Sequence, residues 1–304
     1  MASPLGRSGA PSEFEVWGCR GSRSFVPLRS AIGNYTSCYS LLNGPDLVVF
    51  DAGRGLAELG WAMGRRAALR KVERVHVLVS HAHLDHWEGL KDAEWFWRKA
   101  SLEVQIVGSA QAVEAIQTAY RHPLYVNLEL LAAGRLRSMR YQTLESGDPA
   151  LIAGWRIETA PLNHYSGDDH SRQWLDTLGF RVTAPDGATL AYISDHEPHD
   201  GTRAVEERLL GDSHLVVYDA HFSDIRQQTH GHGSQEHAAL MARAHPGLTV
   251  LAGHHGPTLT DKEIRAAHRR HRRGAPNFRL AVEGVVWRFD RRRSAFVEVE
   301  RARR

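Results

Sequence analysis

The sequence has 304 residues, enough for one large domain or two small ones, with 42% hydrophobic and 24% charged residues. That balance supports a sizeable core and excludes global disorder. The net charge of +3 is small for this length; lysine occurs only at Lys71, Lys91, Lys99 and Lys262, and the other 34 basic residues are arginine. Such a bias does not by itself imply a nucleic-acid surface, although HRRHRRGAPNFR (268–279) and RRR (291–293) could touch phosphate. Cys19 and Cys38 are too few for a disulfide framework. The opening MASPLGRSGAPSEF has no apolar run of the signal-peptide kind, and no stretch nears the roughly 18 apolar residues that span a bilayer. We therefore expect a reduced, cytoplasmic protein with no membrane partner.

Residues 1–12 read as a mobile N-terminal tail and 13–304 as a single domain. FEVWGC (14–19) has strand character and runs into a turn, RGSRS. SCYSLLN (37–43) and DLVVFDAG (46–53) form a hairpin around Gly44 and Pro45. GLAELGWAMGRRAAL (55–69) carries helical spacing, and RVHVLVS (74–80) is an apolar strand that delivers its end to His81. GLKDAEWFWRKA (89–100) suits a helix whose aromatic residues fit a core better than a substrate pocket. EVQIVG (103–108) suits a strand, and SAQAVEAIQTAYR (109–121) a helix capped by Ser109.

The second half echoes the first. WRIETAPLNH (155–164) is a strand running into His164, and LGFRVTAPDGATLAYISD (178–195) is a hairpin around Asp186 and Gly187 that ends at Asp195. HLVVYDAHF (214–222) is a strand, GSQEHAALMARAH (233–245) a serine-capped helix, and LTVLAGHH (248–255) a strand that ends at His254. VEGVVWRFD (282–290) and SAFVEVER (294–301) pair across the three arginines between them. Alternating strands and helices with inserted hairpins indicate a layered α/β fold.

The chemistry concentrates in SHAHLDHWEGL (80–90), which holds His81, His83, Asp85 and His86 within six positions. Imidazole with carboxylate suits zinc, manganese or iron better than calcium or magnesium. Alternation along an extended segment sends His81 and His83 to one side. Asp85 and His86 then fall at a turn, so one pair can serve one metal and the second pair another. A polar loop of backbone-capping histidines is the bland alternative. Against it, His164, Asp195 and His254 each stand at the C-terminal end of a separate apolar strand, where α/β proteins place ligands.

With these residues in view the sequence resembles the metallo-β-lactamase superfamily, whose signature is H-x-H-x-D-H followed by His, Asp and His. WGCRGS (17–22), GNYTSC (33–38), FDAGRGL (50–56), APLNH (160–164), YISDHEP (192–198), GHGSQEHA (231–238) and LAGHHGP (251–257) place it nearest the cyclic-phosphate phosphodiesterase and ribonuclease Z-like branch. The resemblance implies an αββα sandwich with a dinuclear site on one edge. It also implies that His81, His83 and His164 bind one metal, that Asp85, His86 and His254 bind the other, and that Asp195 bridges them. His255 is the alternative to His254. Asp51 matches the family's structural aspartate. Two divalent ions are thus expected, zinc first, with manganese or iron as alternatives.

Such a pair can share a hydroxide and clamp the oxygens of a phosphate diester. Asp85 can orient the attacking oxygen, and His232, in GHGSQEHA, is the candidate for protonating the leaving oxygen or gripping the phosphoryl group, with His230 a near competitor. His170, His196 and His199 flank ligand positions without a clear role. YSGDDHSRQWLDT (165–177) reads equally as a lid or pocket wall and as a plain surface insertion. The expected enzyme is a metal-dependent phosphodiesterase acting on a small cyclic or nucleotide-like phosphate ester. RNA 3′-processing, which would make RNA a partner, and hydrolysis of a carboxyl ester, lactone or β-lactam are the alternatives; a non-catalytic, metal-stabilised binding protein is a third. A homodimer is compatible with the resemblance, although no interface is legible.

Overall fold

The computed structural model describes residues 10–25, 30–147, 149–167 and 170–301. The strand-like segments of the first half, β1 (Glu13–Gly18), β2 (Cys38–Asn43), β3 (Asp46–Phe50), β4 (Arg74–Val79), β5 (Glu103–Gly108) and β6 (Ser138–Thr143), share one sheet. In the second half come β7 (Ala150–Ile152), β8 (Trp155–Pro161), a short ribbon of β9 (Tyr165–Ser166) and β10 (Gln173–Trp174), then β11 (Leu178–Thr183), β12 (Thr189–Ile193), β13 (Leu215–Asp219), β14 (Thr249–Gly253) and β15 (Phe278–Leu280). The last hairpin, β16 (Val285–Asp290) and β17 (Ala295–Arg301), crosses back to the first sheet. The two large sheets run β17-β16-β1-β2-β3-β4-β5-β6 and β15-β14-β13-β12-β11-β8-β7.

The period-two alternation of buried strands explains the layers. Val48 and Phe50 of β3 join Leu190 and Tyr192 of β12 in a core between the sheets. Leu47 and Val49 point the other way, against Leu56 and Leu59 of α1 (Gly55–Arg65) and a short helix α2 (Ala67–Arg70), and share that layer with α3 (Ala110–Ala119) and α4 (Leu128–Ala132). Ala191 and Ile193 of the second sheet face α5 (Arg203–Leu210) and α6 (Gln235–Ala244). The last helix is α7 (Asp261–His271). The order of layers is therefore helix, sheet, sheet, helix, the αββα sandwich that the resemblance implies.

Most elements fall where the pattern puts them. Ser109 caps α3 by accepting from Ala112 N at 3.2 Å, and Ser234 caps α6 by accepting from His237 N at 3.2 Å. Helices α4, α5 and α7 and strands β7 and β15 have no counterpart in the pattern read above, and three further segments differ. The helix expected over 55–69 is broken at Arg66, which turns extended and sends its guanidinium to Glu15 of β1 at 2.7 Å. No α-helix forms over 89–100. A Cβ on Gly89 would lie 2.0 Å from Gly53 O, so the chain is pressed against the end of β3 and winds through 3₁₀ turns at Glu88–Asp92 and Phe96–Arg98. Phe96 and Trp97 are buried in the outer core, while Trp95 is partly exposed against Trp61. The SMRYQT strand, β6, carries only a short alternation, Met139 and Tyr141, which pack on the outer core while the polar residues between them suit the sheet edge. Of the stretch read as a tail, residues 1–9 lie outside the described residues; Ser12 is buried, donating to Asp186 through N at 2.9 Å and Oγ at 2.8 Å.

Candidate dinuclear metal centre

Strands β3 to β6 are mutually parallel, as are β12 to β15, and their central C-terminal ends meet at one edge. Just past β3, Asp51 adopts a left-handed backbone (φ 55°); just past β14, His254 does the same (φ 50°). Non-glycine residues rarely hold this conformation, and each such turn aims a side chain across the edge. Past β4 the chain bends at His81 and Ala82, is extended at His83, then tightens into a 3₁₀ turn over Leu84–His86. That turn sends Asp85 and His86 to a different place from the first two histidines.

Six imidazoles and two carboxylates converge there. His81, His83, His164 and Asp195 bring ligand atoms within 4.8 Å of one another, and so do Asp85, His86 and His254. Asp195 stands between the two groups. One oxygen lies 3.7 Å from His81 Nε2 and 3.5 Å from His164 Nε2; the other lies 3.3 Å from His86 Nε2 and 3.1 Å from His254 Nδ1. His232 joins from the side, its Nδ1 3.8 Å from Asp195, and His221 stacks on it at 4.2 Å between ring centroids.

A cation pair fits this donor set on two grounds. The Nε2 atoms of His81, His86 and His254 are buried and have no hydrogen-bond partner, an expensive arrangement unless something else occupies their lone pairs. Backing groups also aim those lone pairs inward. His86 Nδ1–H donates to Asp51 at 2.6 Å, and His164 Nδ1–H to the Gly231 carbonyl at 2.8 Å, so each ring presents Nε2 to Asp195, where a proton or a cation can be held. Mixed imidazole and carboxylate donors suit zinc, manganese or iron.

A family model described as the beta-lactamase superfamily domain matches residues 47–255, which is more than half of the chain and spans every donor from His81 to His254. The chain belongs to the beta-lactamase superfamily. Solved structures agree on the fold. The metallo-beta-lactamase fold protein YhfI from Bacillus subtilis is 17% identical, with a TM-score of 0.64 over 92% of this chain and 99% of that one. Yeast PDE1 is 13% identical, with a TM-score of 0.63 over 91% and 99%. A diphosphatase from the PhnP family is 14% identical, with a TM-score of 0.62 over 92% and 98%. No curated protein matches the sequence.

The electrostatics of this superfamily site follow from burial. Burial, reinforced by neighbouring imidazoles, holds His81, His164 and His254 well below the ordinary histidine value, so each is a neutral donor at pH 7. Burial also pulls on His86, but Asp195, Asp85 and Asp51 outweigh it and keep that imidazole protonated. The place where His86 Nε2 meets Asp85 and Asp195 therefore demands positive charge, which a metal cation can supply instead of a proton. Burial pushes Asp195 up, while the neighbouring His86 draws Asp85 down despite its own burial.

Of the residues singled out in the sequence, His81, His83, Asp85, His86, His164, Asp195, His254 and His232 come together. His255 does not join them; it is buried behind the site with Nε2 3.3 Å from Ala281 O. His230 is exposed and bonded to Gly167 O at 3.1 Å. His199 caps a 3₁₀ turn, and His170 is exposed. RGSRS is neither an empty turn nor a free phosphate cradle. A Cβ on Gly21 would sit 2.3 Å from the His254 ring, and Ser22 N donates to Asp85 at 2.9 Å. The 165–177 segment reaches the site through Ser166, whose Oγ is 2.7 Å from His83 Nε2; its residues 168 and 169 are outside the described ones.

Three contributors escaped sequence reasoning. Asp219, at the end of β13, is fully buried and accepts from His196 N, Gly233 N and His221 N at 3.0 Å each and from His232 Nδ1 at 3.1 Å. Glu206 of α5 is buried and accepts from Thr202 Oγ1 (2.7 Å), Tyr218 OH (2.8 Å), His237 Nε2 (3.1 Å) and His196 Nε2 (3.2 Å). Because His196 Nδ1 accepts from Asn163 N at 3.0 Å, Glu206 ties together the loops that carry His164 and Asp195. His221 was visible only as one of nineteen histidines. The legible signal for Asp219 was its place: VVYD ends a strand just as VVFD does at Asp51.

Proposed function

We propose that the protein is a metal-dependent phosphodiesterase acting on a small cyclic or nucleotide-like phosphate ester. The observation that carries the reading is Asp195, with one oxygen turned to His81 and His164 and the other to His86 and His254. In this reading His81, His83 and His164 hold one ion, Asp85, His86 and His254 the second, and Asp195 both. Two such ions would supply Lewis-acid polarisation of a phosphoryl oxygen and activation of water. Two structural neighbours, yeast PDE1 and a diphosphatase from the PhnP family, favour phosphate over acyl substrates.

The chain's own groups do the rest. Asp85 is braced by Ser22 N, which leaves its carboxylate fixed where it can orient an attacking oxygen. His232 Nδ1–H is committed to Asp219, so Nε2 is the nitrogen that faces a substrate. Burial pushes His232 down to about 3, so its resting form is neutral. It can therefore donate to a leaving oxygen only after Nε2 has taken the proton that the attacking water gives up.

The test is to measure bound metal in the purified protein and to screen bis-p-nitrophenyl phosphate, cyclic nucleotides, ribosyl cyclic phosphates, precursor tRNA and acyl esters. About two ions per chain, with phosphodiester cleavage lost on chelation and restored by zinc or manganese, is the expected outcome. Cleavage of acyl esters with none of any phosphodiester would overturn the reading.

A further inference from the structure

The arginine run at 268–279 lies outside the metal centre, and its charge is concentrated. Residues 261–279 hold seven basic and two acidic side chains, a net +5, whereas the whole chain carries +3; the remainder is therefore −2. Arg265, Arg269 and Arg272 recur at helical spacing on and just after α7, so they share one face. With His268, and with Arg279 on β15, they line a cavity of about 320 Å³ whose apolar wall includes Val285. Glu298 is its one carboxylate.

The Arg279 guanidinium is held but not neutralised. Arg279 Nη1 donates to the carbonyls of Pro276 and Phe278, and His268 Nε2 lies 3.4 Å from Phe278 O. Among the described residues none of these four arginines has a carboxylate within ion-pair distance; Asp224, the acid nearest in kind, is taken by Arg270 and His271. Burial first, then Arg272, Arg279 and Arg265, keeps His268 neutral, as expected where three cations converge on one ring. Four like charges gathered around a single carboxylate repel one another, and a bound anion would relieve that repulsion.

We propose that this groove is a binding site for a nucleoside polyphosphate, distinct from the metal centre. The arginines supply planar donor forks suited to phosphate oxygens. A neighbouring cavity of about 290 Å³ shares Arg279 and Glu298 and is walled by Trp287 and Phe296, which provides an apolar place for the organic part. Both volumes lie near the lower end of small-molecule pockets. A single nucleic-acid strand fits less well, because strands are gripped by exposed aromatic platforms. The exposed aromatics, Trp61, Trp95, Tyr125 and Trp174, lie on other elements.

The test is titration calorimetry of the full-length, metal-loaded chain with ATP, GTP, inorganic triphosphate and a twelve-residue oligouridylate. Saturable binding of a nucleotide is expected, weakened about tenfold or more in Arg265→Gln/Arg269→Gln and in Arg279→Gln. It should persist in His81→Ala/His83→Ala, which separates this site from the catalytic reading. The melting temperatures of the groove variants should match the wild type. No binding of any nucleotide at millimolar concentration, equal affinity in the groove variants, or loss confined to the histidine variant each overturns the proposal. Tighter binding of the oligouridylate than of the nucleotides overturns it in favour of a strand.

Discussion

Asp51 and Asp219 occupy matching places in the two sheets: each ends a buried central strand, and each accepts several hydrogen bonds from groups around the metal edge. Their partners differ. Asp51 accepts from Ser80 N (2.7 Å), Ser80 Oγ (2.9 Å), His86 Nδ1 (2.6 Å) and Tyr192 OH (2.5 Å), so it joins the first sheet to the second and fixes a proposed ligand. Asp219 bonds only within its own half and fixes His232, which lies beside the proposed ligands rather than among them. The same buried carboxylate, repeated in each half, thus braces the junction of the sheets and His86 on one side and His232 on the other.

The largest effect should come from the residue that both halves share. Asp195→Ala should strip metal from both positions and lower turnover by at least about a thousandfold, whereas His83→Ala should remove turnover while leaving roughly one ion per chain. Metal analysis beside steady-state rates separates the two, and equal metal loss in both variants would remove Asp195 from its bridging role.

Next comes the pair of aspartates. Asp51→Ala leaves those four donors, His86 among them, uncompensated in a dry interior and should cost about 3–5 kcal/mol of stability, read by denaturant unfolding. Asp219→Asn should cost far less stability yet lower turnover about a hundredfold, as His232→Ala should, with metal content unchanged in both. A drop in metal on Asp219→Asn, or full activity in His232→Ala, would break the contrast.

Glu206→Gln sharpens the comparison further, since it acts on the second half alone. Losing one acceptor under His196 should loosen the His164 and Asp195 loops and weaken metal affinity about tenfold to a hundredfold in a chelator competition. The smallest effect is on pH. His81, His164 and His254 titrate in the folded chain below their ordinary 6.5, so the unfolded chain takes up protons that the folded chain refuses once the pH falls below about 6.5. The stability they contribute is complete above that pH and declines below it, which unfolding curves of the chelated protein between pH 7 and 5 would register.

Local information carried much of this. Apolar alternation and serine caps located most strands, and the spacing of His81, His83, Asp85 and His86 marked a candidate metal site, because all four sit in one short segment whose geometry is local. The helix expected over 89–100 and the unbroken helix over 55–69 went wrong for one reason: Gly89 is pressed against Gly53, and Arg66 is drawn to Glu15, partners remote in sequence.

What the amino-acid order determined alone was the layered α/β class, the compact donor run and the strand ends at which His164, Asp195 and His254 stand. The tertiary structure decided between His254 and His255, since only the left-handed turn after β14 points one ring inward and buries the other behind it. It also decided that Asp219 and Glu206 belong to the site. Each works through hydrogen bonds that exist only once separate loops and helices have packed, and no local spacing encodes those.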